Sequence, residues 1–263
     1  MHNVTFNPLQ KREIFHLAFL RALARSVPLS AFVLKGGGNL RFFFGSIRYS
    51  EDMDLDAAGI EIHVLRDKVM AILTSSALAD TLRTFGIERI EPPAISRAKQ
   101  TETVQRFKVH LLTSAGEDLS TKVEFSRRGL DSPLRSEAIS ASVLAAYRMA
   151  PLIVPHYTAP AAVRQKIRAL ASRHQVQGRD IFDLYMLSTH PEIANVNLAD
   201  GMPRSVAQVA RERIFAVSYE QYRDTVVAFL GPEDRAAHDS SQVWDEIRLR
   251  AVAILEQRVQ DEH

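Results

Sequence analysis

An apolar run, Ala31–Leu34, leads into three consecutive glycines, Gly36–Gly38, and a little further on every second residue is an aspartate: Asp52, Asp54 and Asp56. Alternation with period two marks a strand, because successive side chains leave a strand on opposite faces. A strand over Met53–Ala58 therefore shows the three aspartates on one face and Met53 and Leu55 on the other. Side chains so spaced stand about 6–7 Å apart, and at an effective dielectric near 20 adjacent charges repel by about 2–3 kcal/mol. A chain tolerates this on a wet face, or where a cation sits among the carboxylates. The 263 residues include no cysteine, so the motif offers oxygen donors alone, and the cation they suit is the hard ion Mg²⁺.

The glycines narrow the reading. Three in a row after a strand let backbone amides converge on an anion, and a helix N-terminus adds its dipole. The P-loop is excluded because no Gly-Lys pair occurs, and the dinucleotide fingerprint because Arg41 stands where a glycine is required. A glycine turn shortly before an Asp-x-Asp pair instead brings a triphosphate beside a metal held by carboxylates, as phosphoryl and nucleotidyl transfer require. Gly36, Gly37 and Gly38 are thus candidate substrate contacts, with Arg41, Arg48 and Ser50 between the two motifs.

Two-metal chemistry wants a third carboxylate from a neighbouring strand. In Leu119–Ser126, Val123 and Phe125 take one face while Lys122, Glu124 and Ser126 take the other. Glu124 is either the third metal ligand beside Asp52 and Asp54 or an exposed glutamate on an edge strand. Asp56 then reads as structural, meeting a basic residue or capping a turn.

Composition sets the outer bounds. Apolar residues make up 46% and charged residues 24%, which is globular rather than disordered. The net charge of +2 leaves affinity for a polyanion to local patches. Without cysteine there are no disulfides, thiolate zinc sites or cysteine nucleophiles. The start lacks the order of a signal peptide and no apolar run approaches about 18 residues, so the expectation is a cytoplasmic protein with no membrane partner.

Periodicity predicts a helix over Pro8–Ser26, a further helical stretch over His63–Leu82, and paired strands over Thr103–Leu112 and Leu119–Ser126. From about Thr158 only helical spacing remains, at Ala159–Arg173, Gly178–Ser188, Val206–Val217, Tyr219–Phe229 and Ser241–Val259. Prolines at 151 and 155 break regularity, which sets an α/β domain at 1–155 and a helical domain at 156–263. Val243, Trp244, Ile247, Ala251 and Ile254 form a stripe suited to core packing. His110 and His156 read as ordinary surface or packing residues.

Arg164, Lys166, Arg168, Arg173 and Arg179 lie in a stretch without any acid. Arg164 and Arg168 share a helical face, and Lys166 lies about 160° away from each. An inward lysine seeks a phosphate or a carboxylate, since an unpaired buried ammonium is costly. Asp180 and Asp183 are close by in sequence, so a Lys166–Asp183 or Arg179–Asp180 bridge between helices is the alternative to a substrate contact.

These segments, in this order, resemble the AbiEii/AbiGii (MenT-like) toxin family of the nucleotidyltransferase superfamily. The resemblance rests on Lys35-Gly36-Gly37, Leu40-Arg41, Arg48-Tyr49-Ser50-Glu51-Asp52-Met53-Asp54, Lys166, and Arg179-Asp180-Ile181-Phe182-Asp183-Leu184. It departs from the family at Gly38-Asn39, where a single Thr or Ser is more usual. The resemblance implies an α+β fold: a nucleotidyltransferase-like mixed sheet with flanking helices, followed by an all-helical C-terminal domain, with the active cleft between them. It also implies a toxin with a cognate antitoxin that uses Mg²⁺ to add nucleotides from an NTP to the 3′ end of tRNA. Asp52, Asp54 and Glu124 would hold the metal. Lys166 and Asp183 would join them in catalysis, and Arg179 and Asp180 would contact substrate. Nucleotidyl transfer to a protein or small molecule, a non-catalytic binding module and a metal-dependent nuclease are the rival readings.

Overall fold

The computed structural model of the chain describes residues 5–94, 100–130, 133–194 and 202–256. Helix α1 (Pro8–Ser26) starts where Asn7 and Gln10 close a reciprocal capping box, with Pro8 in the first turn. Its inner side buries Ile14, Phe15, Leu17, Phe19, Leu20 and Leu23. Strand β1 (Phe32–Lys35) runs directly into α2 (Gly36–Phe43), so the helix begins at the first glycine of the triplet. Strand β2 (Met53–Ala57) carries the aspartates. The helical stretch expected over His63–Leu82 is two helices, α3 (Ile62–Leu73) and α4 (Ser76–Arg83). The break falls where the Ser75 hydroxyl accepts the Leu78 amide and caps the second.

Strands β3 (Ile87–Glu91), β4 (Val104–Thr113), β5 (Asp118–Ser126) and β6 (Leu134–Ala138), the short helix α5 (Ala141–Ala146) and β7 (Ile153–Tyr157) follow. Among the described residues the strands form one mixed sheet in the order β3-β4-β5-β2-β1-β7-β6. β1 pairs antiparallel with β2 and parallel with β7, and β2 pairs parallel with β5. β4 and β5 alternate as strands with one covered face: Phe107, Val109, Leu111, Val123 and Phe125 are fully buried while the residues between them face outward.

The remaining helices are α6 (Ala159–Ser172), α7 (Gly178–Ser188), α8 (Pro191–Ala194), α9 (Arg204–Ile214), α10 (Tyr219–Thr225), α11 (Pro232–His238) and α12 (Ser241–Glu256). The last was expected to reach Val259, and residues 257–259 lie outside those described. Trp244, Ile247, Ala251 and Ile254 are buried in the core of this region, with Val243 packed against it. Tyr222 stacks on Trp244 at 4.4 Å between ring centroids, worth about 0.5–1.5 kcal/mol beyond the area it buries. The indole N–H donates to the Val217 carbonyl at 3.1 Å, so Trp244 is a satisfied core residue.

The chain divides into two compact units, one of Met1–Asn39 with Tyr49–Tyr157, the other of Leu40–Arg48 with Thr158–His263. The division passes through α2. The sheet belongs to the first unit and α6–α12 to the second. Among the described residues no helix is long and apolar enough to cross a membrane.

Candidate active site

Register decides which charged residues of the sheet unit meet. Lys35 of β1 lies opposite Asp54 of β2, Asp54 opposite Glu124 of β5, and Glu124 opposite Arg106 of β4. Directly opposed residues share a face, so the row reads Lys35, Asp54, Glu124, Arg106 across four strands. Asp52, one residue before β2, accepts the Lys122 backbone amide at 3.2 Å and the Lys122 ammonium at 2.7 Å. Arg106 donates to Glu124 at 2.6 Å. The carboxylates singled out in the sequence therefore gather on one face of the sheet.

The three aspartates of the alternating strand part company here. Asp56 is buried, and its two oxygens are taken by the Lys35 ammonium and, at 2.7 Å, by the Tyr157 hydroxyl. It is a structural residue. Asp54 is the opposite case: among the described residues no donor bonds to its carboxylate. Burial pushes its pKa above the usual carboxylate range; Lys122 and Lys35 pull it back, and Asp52 and Glu124 push it further up.

Gly36 explains part of this crowding. Its φ is +66°, a conformation glycine adopts freely, and a Cβ added there would stand 2.8 Å from Oδ2 of Asp54. The first turn of α2 thus rests against the least partnered carboxylate of the row. Gly37 and Gly38 continue that turn, where helix amides lack intrahelical acceptors. Asn39 is fully buried, donating to the Tyr157 carbonyl at 2.9 Å and meeting Nδ1 of His156 at 3.0 Å, so it fastens α2 to β7. Ser50 closes the turn into β2 by donating to the Asp52 carbonyl at 2.7 Å.

Behind Asp52 lies a relay that the sequence did not announce. The Thr121 hydroxyl donates to the Glu51 carbonyl at 2.7 Å and so accepts from Nε2 of His16 at 2.9 Å. His16 is buried within α1. Burial lowers its pKa to about 4, with Asp52 raising it and Arg12 lowering it, so the ring is neutral at physiological pH.

The helical unit holds a separate cluster. The Lys166 ammonium on α6 sits 2.9 Å from Asp180 and 2.6 Å from Asp183, both on α7. Arg173 reaches the other oxygen of Asp180 at 2.9 Å, and Arg48 binds both oxygens of Asp183 at 3.1 and 3.2 Å. Burial alone would lower the lysine, but Asp180 and Asp183 outweigh it and hold Lys166 above its ordinary value. For Asp183 burial acts upward, and Arg48 and Lys166 overcome it to hold the carboxyl below its ordinary value. Of the two bridges weighed from the sequence, Lys166–Asp183 forms, while Asp180 is met by Lys166 and Arg173. Arg179 is half-buried with no partner placed on it among the described residues, and Arg41 donates to the Ser46 carbonyl at 3.1 Å.

A divalent cation suits the sheet row chemically, since Asp52, Asp54 and Glu124 offer hard oxygens and the half-buried Asp54 carboxylate accepts no donor among the described residues. The site is not preassembled. Among the described residues no three acidic or imidazole groups already converge on one point, because Arg106 draws Glu124 and Lys122 draws Asp52. Lys35, Lys122 and Arg106 are the cations around the carboxylates. The strand alternation of Thr103–Leu112 was the available signal for Arg106.

No functionally curated protein matches the chain. Among solved structures, the JHP933 protein of Helicobacter pylori is 18% identical with a TM-score of 0.54, covering 97% of this chain and 93% of its own. The MenT4 nucleotidyltransferase toxin of Mycobacterium tuberculosis H37Rv is 17% identical with a TM-score of 0.56, covering 94% of this chain and 84% of its own. At such identities these establish a shared fold. The family described as nucleotidyl transferase AbiEii toxin, type IV toxin–antitoxin system, matches residues 18–261. With its motifs on a mixed sheet of this kind, the chain belongs to the AbiEii family of nucleotidyltransferase toxins.

Proposed function

We propose that this nucleotidyltransferase joins a nucleoside monophosphate from an NTP to the 3′ end of an RNA, the tRNA acceptor end foremost, and so blocks translation. The observation that supports it best is the row in which Asp54 stands opposite Glu124 with Gly36 packed against Asp54. Asp52, Asp54 and Glu124 would hold Mg²⁺, which when bound supplies Lewis-acid stabilisation of the phosphoryl charge. The amides of Gly36–Gly38 cradle the triphosphate. Glu124 orients the attacking 3′-hydroxyl and takes its proton as the new bond to the α-phosphorus forms and the bond to pyrophosphate breaks. In the helical unit Lys166, Asp180, Asp183 and Arg48 are engaged with one another in a buried cluster, so the catalytic and substrate-contact roles expected of them from the motif give way in this reading to a structural one. Ser50 shapes the turn that presents Asp52. The type IV family implies an antitoxin as partner.

The test is incubation of the purified protein with each α-labelled NTP, Mg²⁺, and total RNA, total protein or small-molecule acceptors. Label on RNA that lengthens at its 3′ end, abolished by Asp54→Asn and by Glu124→Gln, is the expected result. Label on protein alone, or RNA shortened with Mg²⁺ and no NTP, overturns the reading.

A further inference from the structure

The outer face of β4 and β5 continues the carboxylate row with cations. Arg106 and Lys108 are exposed, and Lys108 lies directly opposite Lys122. Like charges facing each other across a strand pair are destabilising, so a lysine pair here needs an anion to justify it. Lys122 has Asp52, but no acidic partner is placed on Lys108 among the described residues. At the far end His110 is matched by Asp118, which confines the unmatched charge to the stretch beside Glu124 and Asp52. A cation taking Asp52 and Glu124 as ligands would release Lys122 and Arg106 to the same face, raising its positive charge further.

Same-face residues along a strand repeat at about 7 Å, comparable to the spacing of successive phosphates in a nucleic-acid chain. Such a ladder fits a phosphodiester backbone better than one compact triphosphate. We propose that Arg106, Lys108 and Lys122 form the track on which the RNA acceptor's backbone lies as its 3′ end reaches the carboxylates. This rests on the RNA-acceptor reading given above. Contacts of this kind position without reading sequence, and they make affinity salt-dependent.

The experiment measures binding of fluorescently labelled tRNA to the full chain by anisotropy between 50 and 200 mM salt. Mg²⁺–ATP binding is followed in parallel by equilibrium dialysis. Lys108 is exposed, so Lys108→Gln and Lys108→Glu keep the fold, checked by thermal melting. The expected result is about five- to tenfold weaker RNA binding for Lys108→Glu, a smaller loss for Lys108→Gln, a salt slope lowered by about one, and unchanged ATP binding. RNA affinity and slope equal to wild type in both variants overturn the proposal and leave the RNA-acceptor reading standing. Equal loss of ATP and RNA binding overturns it too, assigning the ladder to the triphosphate. A wild-type protein that labels protein and never binds RNA removes the underlying reading itself.

Discussion

The two charged clusters of this molecule are built to opposite specifications. In the sheet unit the ion pairs stay within reach of water: the side chains of Arg106 and Glu124 are 45% and 22% exposed, those of Lys122 and Asp52 31% and 19%. In the helical unit Asp180 and Asp183 are at most 1% exposed, Arg48 6% and Lys166 11%. Exposed pairs contribute about 0–1 kcal/mol and exchange partners readily. Buried ones gain little over an apolar equivalent, yet breaking one by removing a single partner is severe. The sheet cluster is therefore suited to giving up its cations to a ligand, and the helical cluster to holding α6, α7 and the Leu40–Arg48 segment in one arrangement.

The largest effect that can break this comparison is at Asp183. Replacing it by alanine leaves Arg48 and Lys166 buried with too few acceptors, and the expected cost is about 3–5 kcal/mol in urea unfolding. If Asp183→Ala unfolds like wild type, the cluster does not hold the helices together and the contrast with the sheet unit fails.

Next comes His16, which sharpens the picture of what stands behind Asp52. Its pKa is lowered from 6.5 to about 4 in the fold, so the unfolded chain takes up the proton first as pH falls. Stability from the neutral ring is complete above pH 6.5 and declines between 6.5 and 4, by about 3 kcal/mol. Denaturant unfolding across that window checks it. His16→Gln keeps a donor for Thr121 but does not titrate, and it flattens the slope if the assignment holds.

How far the sequence announced all this differs between the same two regions. Helices α1 and α7 were legible because their apolar residues recur at helical spacing, and the structure adds the Asn7–Gln10 capping box at the start of the first and the close approach of Gly178 to Tyr222 at the start of the second. Strand alternation placed Asp54 and Glu124 each on the polar face of its own strand, and the pairing of β2 with β5 is what brings those faces together. Other elements depend on partners that spacing does not encode. β3 and β6 are short edge strands with mostly exposed residues, so neither shows the alternation that burial imposes, and β7 contains Pro155, which reads locally as a break. Lys166 was expected to turn inward from its helical angle, yet whether Arg173 or Arg179 met Asp180 hung on how α6 and α7 pack. The departure at Asn39 became intelligible only with β7 beside it, since its amide bonds Tyr157 and His156.

Gly36→Ala follows in size. The left-handed backbone costs a non-glycine residue about 1–2 kcal/mol, and the new methyl would meet the Asp54 carboxylate at 2.8 Å. A modest fall in stability with a nucleotidyl-transfer loss of 100-fold or more is expected. A thermal melt paired with the labelled-NTP assay separates the two effects. Full activity in this variant would mean the glycine turn is independent of Asp54.

The smallest stability effect carries the sharpest sign. Because the pKa of Asp54 is raised in the fold, its ionised form is less comfortable there than in the unfolded chain. Its contribution is therefore fully present below the unfolded carboxylate pKa and is lost as pH rises through the folded one, leaving a penalty at neutral pH. Asp54→Asn removes the charge while keeping the shape, so urea unfolding at pH 7 should find the variant as stable as wild type or more so, within about 1 kcal/mol, and its pH profile flatter through the acid range. The same substitution is expected to abolish transfer in the labelled-NTP assay. A carboxylate whose removal helps the fold and ends the chemistry is placed for a ligand, whereas one whose removal unfolds the chain, as expected of Asp183, is placed for the protein. An Asp54→Asn variant that melts well below wild type would erase that distinction and make the sheet row a structural cluster like the helical one.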